Sequence, residues 1–356
     1  MEPIAMNDML RKAVEVADEV LFPAAAEVDS SGRIPDGHFD RLAEDGFYGL
    51  VAPVDLGGPG VEFEDLLQIV ETLAGGCLAT TFTWLQHHGV VMGLAMTSNS
   101  ALRDEYLGRA VRGELRGGAA FSGAIQTPPR IRATRSGDGW TLNGQIPFVS
   151  GWGLVDMLHV SAVDEDDNVI SCLVDAATGD GITGVHPLTL AAAQATNTVR
   201  LELCDFRVPD SRVTTCAKRG EFLAGMALSL RIDSSLPLGL TERAATLAEA
   251  AGQGDTANSM RAEARALRAK FDAAMSDPAS LPALRAASSE LAVRASASCV
   301  VAAGSSALLS THTAQRLARE SLFTLVVASR PAVKSELLRL MNDQTHMLAH
   351  VLQGDT

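Results

Sequence analysis

Residues 139–151 read Gly-Trp-Thr-Leu-Asn-Gly-Gln-Ile-Pro-Phe-Val-Ser-Gly. Aromatic and β-branched residues are interleaved with polar ones, and an Asn-Gly pair interrupts them, which is the pattern of strands joined by tight turns. The same character extends outward from Gly117 to about Asp210, through AAFSGAI, RIRATRS, a Gly-Asp-Gly turn, MLHVSAV, an acidic turn, VISCLVDA and TVRLELCDFRVP. Turn residues separate the short runs, so antiparallel pairing is expected, with turns at Asp-Gly and Asn-Gly.

On both sides of this stretch the spacing is helical. Residues 6–28 place apolar groups on one helix face, with Pro23 expected to bend or end that helix. HFDRLAEDG closes at Gly46, VAPVDLGGPGVEF is a turn-rich connection, and EDLLQIVETLA from Glu64 to Ala74 is amphipathic. Residues 78–98 and 100–115 read as further helices. Beyond Pro209, Ala-rich segments predict helices over Phe222–Ala251, Met260–Met275, Pro282–Ser310 and Ala314–Val351, with a loop at Gly252–Asn258. The order is α–β–α, an α+β chain with expected domains at 1–115, 116–212 and 213–356.

Composition narrows the function classes. The 356 residues are 47% hydrophobic and 20% charged, so a folded core is expected rather than disorder. A net charge of −14 opposes non-specific binding to nucleic acid or to an anionic membrane. The run Arg261, Arg265, Arg268 and Lys270 is interleaved with Ala and Glu, as on a solvated helix face. Five widely spaced cysteines form no Cys-x-x-Cys pair, which fits reduced thiols in the cytoplasm. The amphipathic start does not resemble a secretory signal, and no uninterrupted apolar run reaches the ~18 residues of a membrane span. A soluble, cytoplasmic protein is expected.

Several strings, in order, resemble the acyl-CoA dehydrogenase superfamily over almost the whole chain. Leu56-Gly57-Gly58-Pro59-Gly60 looks like its Gly-Gly turn, and Tyr106-Leu107-Gly108-Arg109 like the Tyr-Leu string before its β domain. Gly139-Trp140-Thr141-Leu142-Asn143-Gly144 is similar to its hairpin, Gln194-Ala195-Thr196-Asn197-Thr198 to its Arg-x-Ser-x-Thr segment, and Asp205-Phe206-Arg207-Val208-Pro209 to the closing Asp-Val-x-Val-Pro. The resemblance implies a helical N-terminal domain, a β-barrel middle domain and a four-helix C-terminal domain. It also implies FAD held between the β domain and the C-terminal helices, with an acyl-CoA or acyl-carrier thioester against the ring. The implied reaction is α,β-dehydrogenation: a carboxylate takes the α-proton and the β-hydrogen leaves as hydride to the flavin. Oligomers with identical or homologous subunits are implied as well.

By the same resemblance Ser150 occupies the place of a hydroxyl that contacts the flavin, and Phe148 that of an aromatic ring covering it. The alternative for Ser150 is a strand-end hydroxyl capping a turn. Ser122 and Thr127 fall where the family contacts flavin phosphates and substrate, although its Glu-Pro and Gly-Ser-Asp are replaced here. Arg261 could stand for an Arg that reaches a neighbouring subunit's pyrophosphate, or be a surface cation. Glu320, in Leu317-Ala318-Arg319-Glu320, is expected to pair with an Arg. The family's catalytic Glu falls at Ala328-Ser329, and its second known position at Ser229 or Leu230 ahead of Arg231. Neither carries a carboxylate. Asp233 and His312 remain as candidate catalytic groups, and the chain could be a degenerate subunit beside a catalytic partner. A flavin monooxygenase on the same fold and a non-catalytic structural subunit are the alternatives. His346 and His350, spaced i, i+4 without a following Glu, fit a helix face better than a metal site, and His87-His88 fits packing or a pocket wall better than metal.

Overall fold

The structure, a computed structural model, describes residues 7–179, 181–328 and 330–343. The chain divides into two compact units, one of residues 1–69 with 79–226, the other of residues 70–78 with 227–356.

The first unit opens with helices α1 (Asp8–Glu15), α2 (Phe22–Ser31) and α3 (Asp36–Glu44), followed by α4 (Phe63–Gly76), α5 (Leu78–Leu85), α6 (His87–Met96) and α7 (Ser100–Val111). Asn7 caps α1 by accepting from the Met9 amide, one of the donors a helix start leaves unpaired. Pro23 does not end the first helix, one of the two outcomes expected of it. A π-helical segment, Val16–Leu21, precedes it, and the helical path runs on to Gly32 at φ 66°. The wider turn absorbs the missing proline N–H ahead of the ring.

Eight strands follow: β1 (Gly117–Ala120), β2 (Ile131–Ser136), β3 (Gly139–Val149), β4 (Met157–Val163), β5 (Asn168–Asp175), β6 (Ile182–Pro187), β7 (Val199–Pro209) and β8 (Val213–Lys218). They form one sheet in the order β6-β7-β3-β2-β4-β5-β8, with β1 beside β4. Pairing is antiparallel except at β1–β4 and at a single β2–β4 contact, which are parallel. The Gly137-Asp138 turn joins β2 to β3 as read from sequence. Asn143-Gly144 does not turn the chain. It lies inside β3 at a register shift against β7, with Gly144 at φ 128°. A Cβ there would stand 2.1 Å from the Arg130 carbonyl oxygen, so the bulge requires glycine. Leu142, Ile146 and Val149 of β3 and Val199, Leu201 and Leu203 of β7 are buried in the sheet's core cluster.

The second unit combines the end of α4 with α9 (Ala227–Asp233), α10 (Ser235–Ala250), α11 (Gly254–Ala274), α12 (Leu281–Ala303), α13 (Thr313–Val326) and α14 (Pro331–Asp343), while α8 (Arg219–Gly225) closes the first. α12 packs against α10, α11, α13 and α14. α11 starts at Gly254, inside the expected loop. The helix expected over 314–351 instead ends at Val326, Ala328 follows at φ 52°, and Pro331 begins α14. His346, His350 and Ser329 lie outside the described residues.

One sequence expectation about membranes is corrected. The helical stretch Pro278–Leu308 has a window of mean hydropathy 1.4, long and apolar enough by length and composition to cross a membrane. Isolated Ser and Arg residues interrupt the apolar run in the sequence, yet the window's average stays high. Arg285, Ser288, Ser289 and Ser296 of α12 are buried, while 33% of the apolar window is buried in all.

Candidate functional site

In the first unit the end of β3 gathers three of the residues singled out above. Val149 points into the core, and alternation turns Phe148 outward, where its ring is 59% exposed. Ser150 follows, and its hydroxyl meets Thr198 Oγ1 at 2.7 Å, just beyond the Val149–Val199 pair of the β3–β7 ladder. Thr198 Oγ1 in turn meets Thr196 Oγ1 at 2.8 Å. The Gly151 amide donates to the Thr196 carbonyl at 2.7 Å, fixing the backbone around this row of hydroxyls.

Ser122 Oγ donates to the Phe148 carbonyl at 3.0 Å and accepts from the Phe148 amide at 3.2 Å. A hydroxyl has a single proton, so that of Ser122 is committed to tying the β1–β2 loop to β3. Thr127 lies apart from this group. Its Oγ1 accepts from Arg219 Nη2 at 3.1 Å, and the same guanidinium also holds the carbonyls of Ala124, Ile125 and Gln126. Arg219 was not legible as a site residue, because its partners lie more than ninety positions earlier.

The second unit holds the other candidates. Asp233, at the end of α9, is partly buried and faces the charges of Arg285 and Arg330. Burial pushes its carboxyl up to about 6, and the two guanidiniums pull it back. Burial likewise lowers Arg285 to about 10, against the pull of Asp233. Arg285 Nη2 donates to the Thr324 carbonyl at 2.9 Å and to that of Val327 at 3.3 Å, and Arg330 Nη2 donates to Ser229 Oγ at 3.2 Å. The Ser229 hydroxyl, one of the positions where a carboxylate base would fall, therefore receives a guanidinium. Ala328, the other, is not helical. His312 caps α13, its Nδ1 accepting from the Ala314 amide at 3.2 Å, so that nitrogen is committed. Glu320 pairs with Arg316 at 2.9 Å as expected, in a buried i, i+4 bridge. Arg261 is engaged by Glu242 and Glu249, each at 2.8 Å, which leaves its charge paired on the helix surface.

The paired histidines are structural. His87 Nδ1 accepts from the Gly117 amide at 2.9 Å, which leaves Nε2 to donate to the Ala110 carbonyl at 3.1 Å. Burial lowers it to about 3, so it is neutral. His88 stacks edge-on against Trp84 with ring centroids 4.5 Å apart. Among the described residues no cluster of three His, Cys, Asp or Glu is arranged to hold a metal.

The end of β3 presents groups that could meet a flavin ring, an outward aromatic ring and a strand-end hydroxyl two residues on. Residues 5–114 match the family described as Acyl-CoA dehydrogenase, N-terminal domain. The 3-sulfinopropanoyl-CoA desulfinase of Cupriavidus necator is 26% identical over 169 residues, 46% of this chain and 43% of that protein. The mitochondrial isovaleryl-CoA dehydrogenase of Pongo abelii is 24% identical over 249 residues, 65% of this chain and 59% of that protein. These matches thus span about half the length of the curated relatives. Among solved structures, a glutaryl-coenzyme A dehydrogenase in complex with glutaryl-CoA superposes with a TM-score of 0.82 at 16% identity, covering 94% of this chain and 95% of that one. PigA with FAD and proline gives 0.81 at 19% identity, covering 96% and 99%. The fold is that of the acyl-CoA dehydrogenases. Residues 5–114 thus resemble that family's N-terminal domain in sequence, and the chain shares the fold of its solved members.

Proposed function

We propose that this protein is a cytoplasmic flavoprotein oxidoreductase that binds FAD and acts on an acyl thioester carried by CoA or a carrier protein. The observation carrying this reading is the end of β3, where the Ser150 hydroxyl is fixed against Thr198 beside the outward ring of Phe148. Ser150 would hold the flavin ring edge by a hydrogen bond, Phe148 would cover a ring face, and Thr127 with the Arg219-bound loop would face the cofactor's polar half. Bound FAD supplies a two-electron acceptor, and α,β-dehydrogenation additionally needs a group to take the α-proton. Asp233 is the better candidate in this chain, since its carboxyl titrates near 6 while His312 is spent on a helix cap.

The alternative to Asp233 is a partner subunit that supplies the base. With Ser229 and Ala328 at the positions of the family's carboxylate, the isolated chain should dehydrogenate acyl-CoAs slowly. Removal of a positioned base costs on the order of 10²- to 10⁴-fold in rate. The same lack of a carboxylate favours, as second reading, a flavin monooxygenase on this fold. The test is anaerobic turnover of acyl-CoAs with an electron acceptor, against oxygen consumption with reduced flavin, after counting FAD per chain. Stoichiometric FAD with acceptor reduction supports dehydrogenation, oxygen-dependent product supports the second reading, and absence of bound FAD rejects both in favour of a non-catalytic subunit.

A further inference from the structure

Three hydroxyls lie in a row in the first unit: Thr196 Oγ1 at 2.8 Å from Thr198 Oγ1, which is 2.7 Å from Ser150 Oγ. Each hydroxyl carries one proton, and the buried Thr198 spends its own on either Ser150 or Thr196. If Ser150 donated to Thr198 and Thr198 to Thr196, the Thr196 proton would need an acceptor of its own. Thr196 is 0% exposed, and among the described residues its hydroxyl meets only Thr198. That direction strands a buried donor, which is costly. In the opposite direction every buried proton is used: Thr196 donates to Thr198, Thr198 donates to Ser150, and Ser150, which is only partly buried, is left with its proton facing out.

We propose that Thr196 and Thr198 form a one-way hydroxyl chain that makes Ser150 a hydrogen-bond donor to an acceptor atom of the flavin ring. Thr198 is then a positioning residue for the cofactor. This rests on the flavin reading given above. An oxidised isoalloxazine edge presents several acceptor atoms, two ring nitrogens and two carbonyl oxygens, and only one N–H donor. A hydroxyl committed to donating suits that edge, whereas a freely rotating serine would spend part of its time turned inward. Backbone bonds hold the row in register, since the Gly151 amide is fixed to the Thr196 carbonyl at 2.7 Å.

The experiment titrates full-length apoprotein with FAD by fluorescence quenching and measures the midpoint potential of the bound flavin in wild type, Thr198→Val, Thr198→Ser, Ser150→Ala and the double variant Ser150→Ala/Thr198→Val. Loss of one oriented neutral hydrogen bond is expected to weaken FAD binding about three- to tenfold in Thr198→Val. The potential should shift in the same direction as in Ser150→Ala. Thr198→Ser should restore both within twofold, and Thr198→Val should add nothing once Ser150 is alanine. A residue that merely supports the fold would weaken binding equally in both backgrounds and leave the potential alone. Either of those results, or wild-type behaviour in Thr198→Val, overturns the chain while leaving the flavin reading intact. Wild-type protein that binds no FAD overturns both. Should Thr198→Val fail to fold, Thr198→Ala is measured under the same criteria.

Discussion

Asp233 stands near two guanidiniums, yet its carboxyl titrates at about 6, because burial outweighs the attraction of Arg285 and Arg330. The folded state thus disfavours the ionised form. Below about pH 4 the carboxyl is protonated whether the chain is folded or not, and no penalty exists. Between about 4 and 6 the unfolded chain ionises first, so this group's contribution to stability is lost as pH rises. A shift of roughly two units amounts to about 3 kcal/mol by the upper end of that window. Unfolding measured in denaturant from pH 4 to 7 should therefore show a wild-type component that declines across the window and is missing in Asp233→Asn. If Asp233 also serves as base, turnover should rise through pH 6 in wild type and fall at least 10²-fold in Asp233→Asn. Asn99 is a second residue whose work is local. It caps α7 by accepting from the Leu102 amide, while its Nδ2 donates to the Ser211 carbonyl at 2.9 Å. Asn99→Ala should cost about 1 to 2 kcal/mol in chemical denaturation.

At the scale of elements, α10 lies so close to the end of α4 that a Cβ on Gly239 would stand 2.0 Å from the Glu71 carbonyl oxygen. Around this approach Arg268 pairs with the buried Glu71 carboxylate at 2.7 Å, and Arg243 donates to the Gly75 carbonyl at 2.9 Å. Gly239→Ala must therefore move backbone, with an expected loss of about 3 kcal/mol or more in thermal or denaturant unfolding. Gly220→Ala in α8, where a Cβ meets nothing within 4 Å, should be neutral or stabilise by up to about 1 kcal/mol. This contrast also shows what the sequence could disclose. Alternation and turn residues between Gly117 and Asp210 announced the strands, and helical spacing announced the bundle. Asn143-Gly144 misled because an Asn-Gly pair suits a bulge as well as a hairpin, and only the approach of the Arg130 carbonyl decides between them. The hydroxyl row joins residues 48 positions apart, and Arg219 clamps a loop more than ninety positions away, so no local pattern encodes either. Candidate Ser150 was legible through family strings, whereas the partners that orient it were not.

For the whole molecule, surface and acid response are the properties open to test. Along the end of α12, the following turn and α13, Val301, Leu308, Leu309, Leu322 and Val326 each expose more than half of their surface. Apolar exposure of this kind suits burial against another subunit. Light scattering at micromolar concentration should give a dimer or larger, and Leu308→Asp combined with Leu309→Asp should shift the mass toward monomer. A monomeric wild type would reject the assembly. The acid response rests on three histidines of the first unit, His87 and His88 buried and His159 partly so. Burial lowers His87 to about 3 and His88 and His159 to about 4, so all three are neutral in the folded protein. His159 donates from Nε2 to Thr214 Oγ1 at 2.8 Å, since the Thr214 proton goes to the Ser171 carbonyl at 3.0 Å. In an unfolded chain each imidazole protonates near pH 6.5, so the unfolded state takes up protons that the folded state refuses. Their stabilising effect is complete above about pH 6.5 and is lost as pH falls toward 4. Each fully protonating histidine contributes a slope of ~1.4 kcal/mol per pH unit, and three together give about 4. Asp233 acts in the opposite sense over part of this range with a single proton, so the histidines prevail. Stability from denaturant unfolding should accordingly drop by several kcal/mol between pH 6.5 and 5. His159→Gln, whose amide can still donate to Thr214, should lower that slope by about one proton's share. A flat profile, or stability rising over this interval, would mean that these imidazoles are protonated in the folded protein.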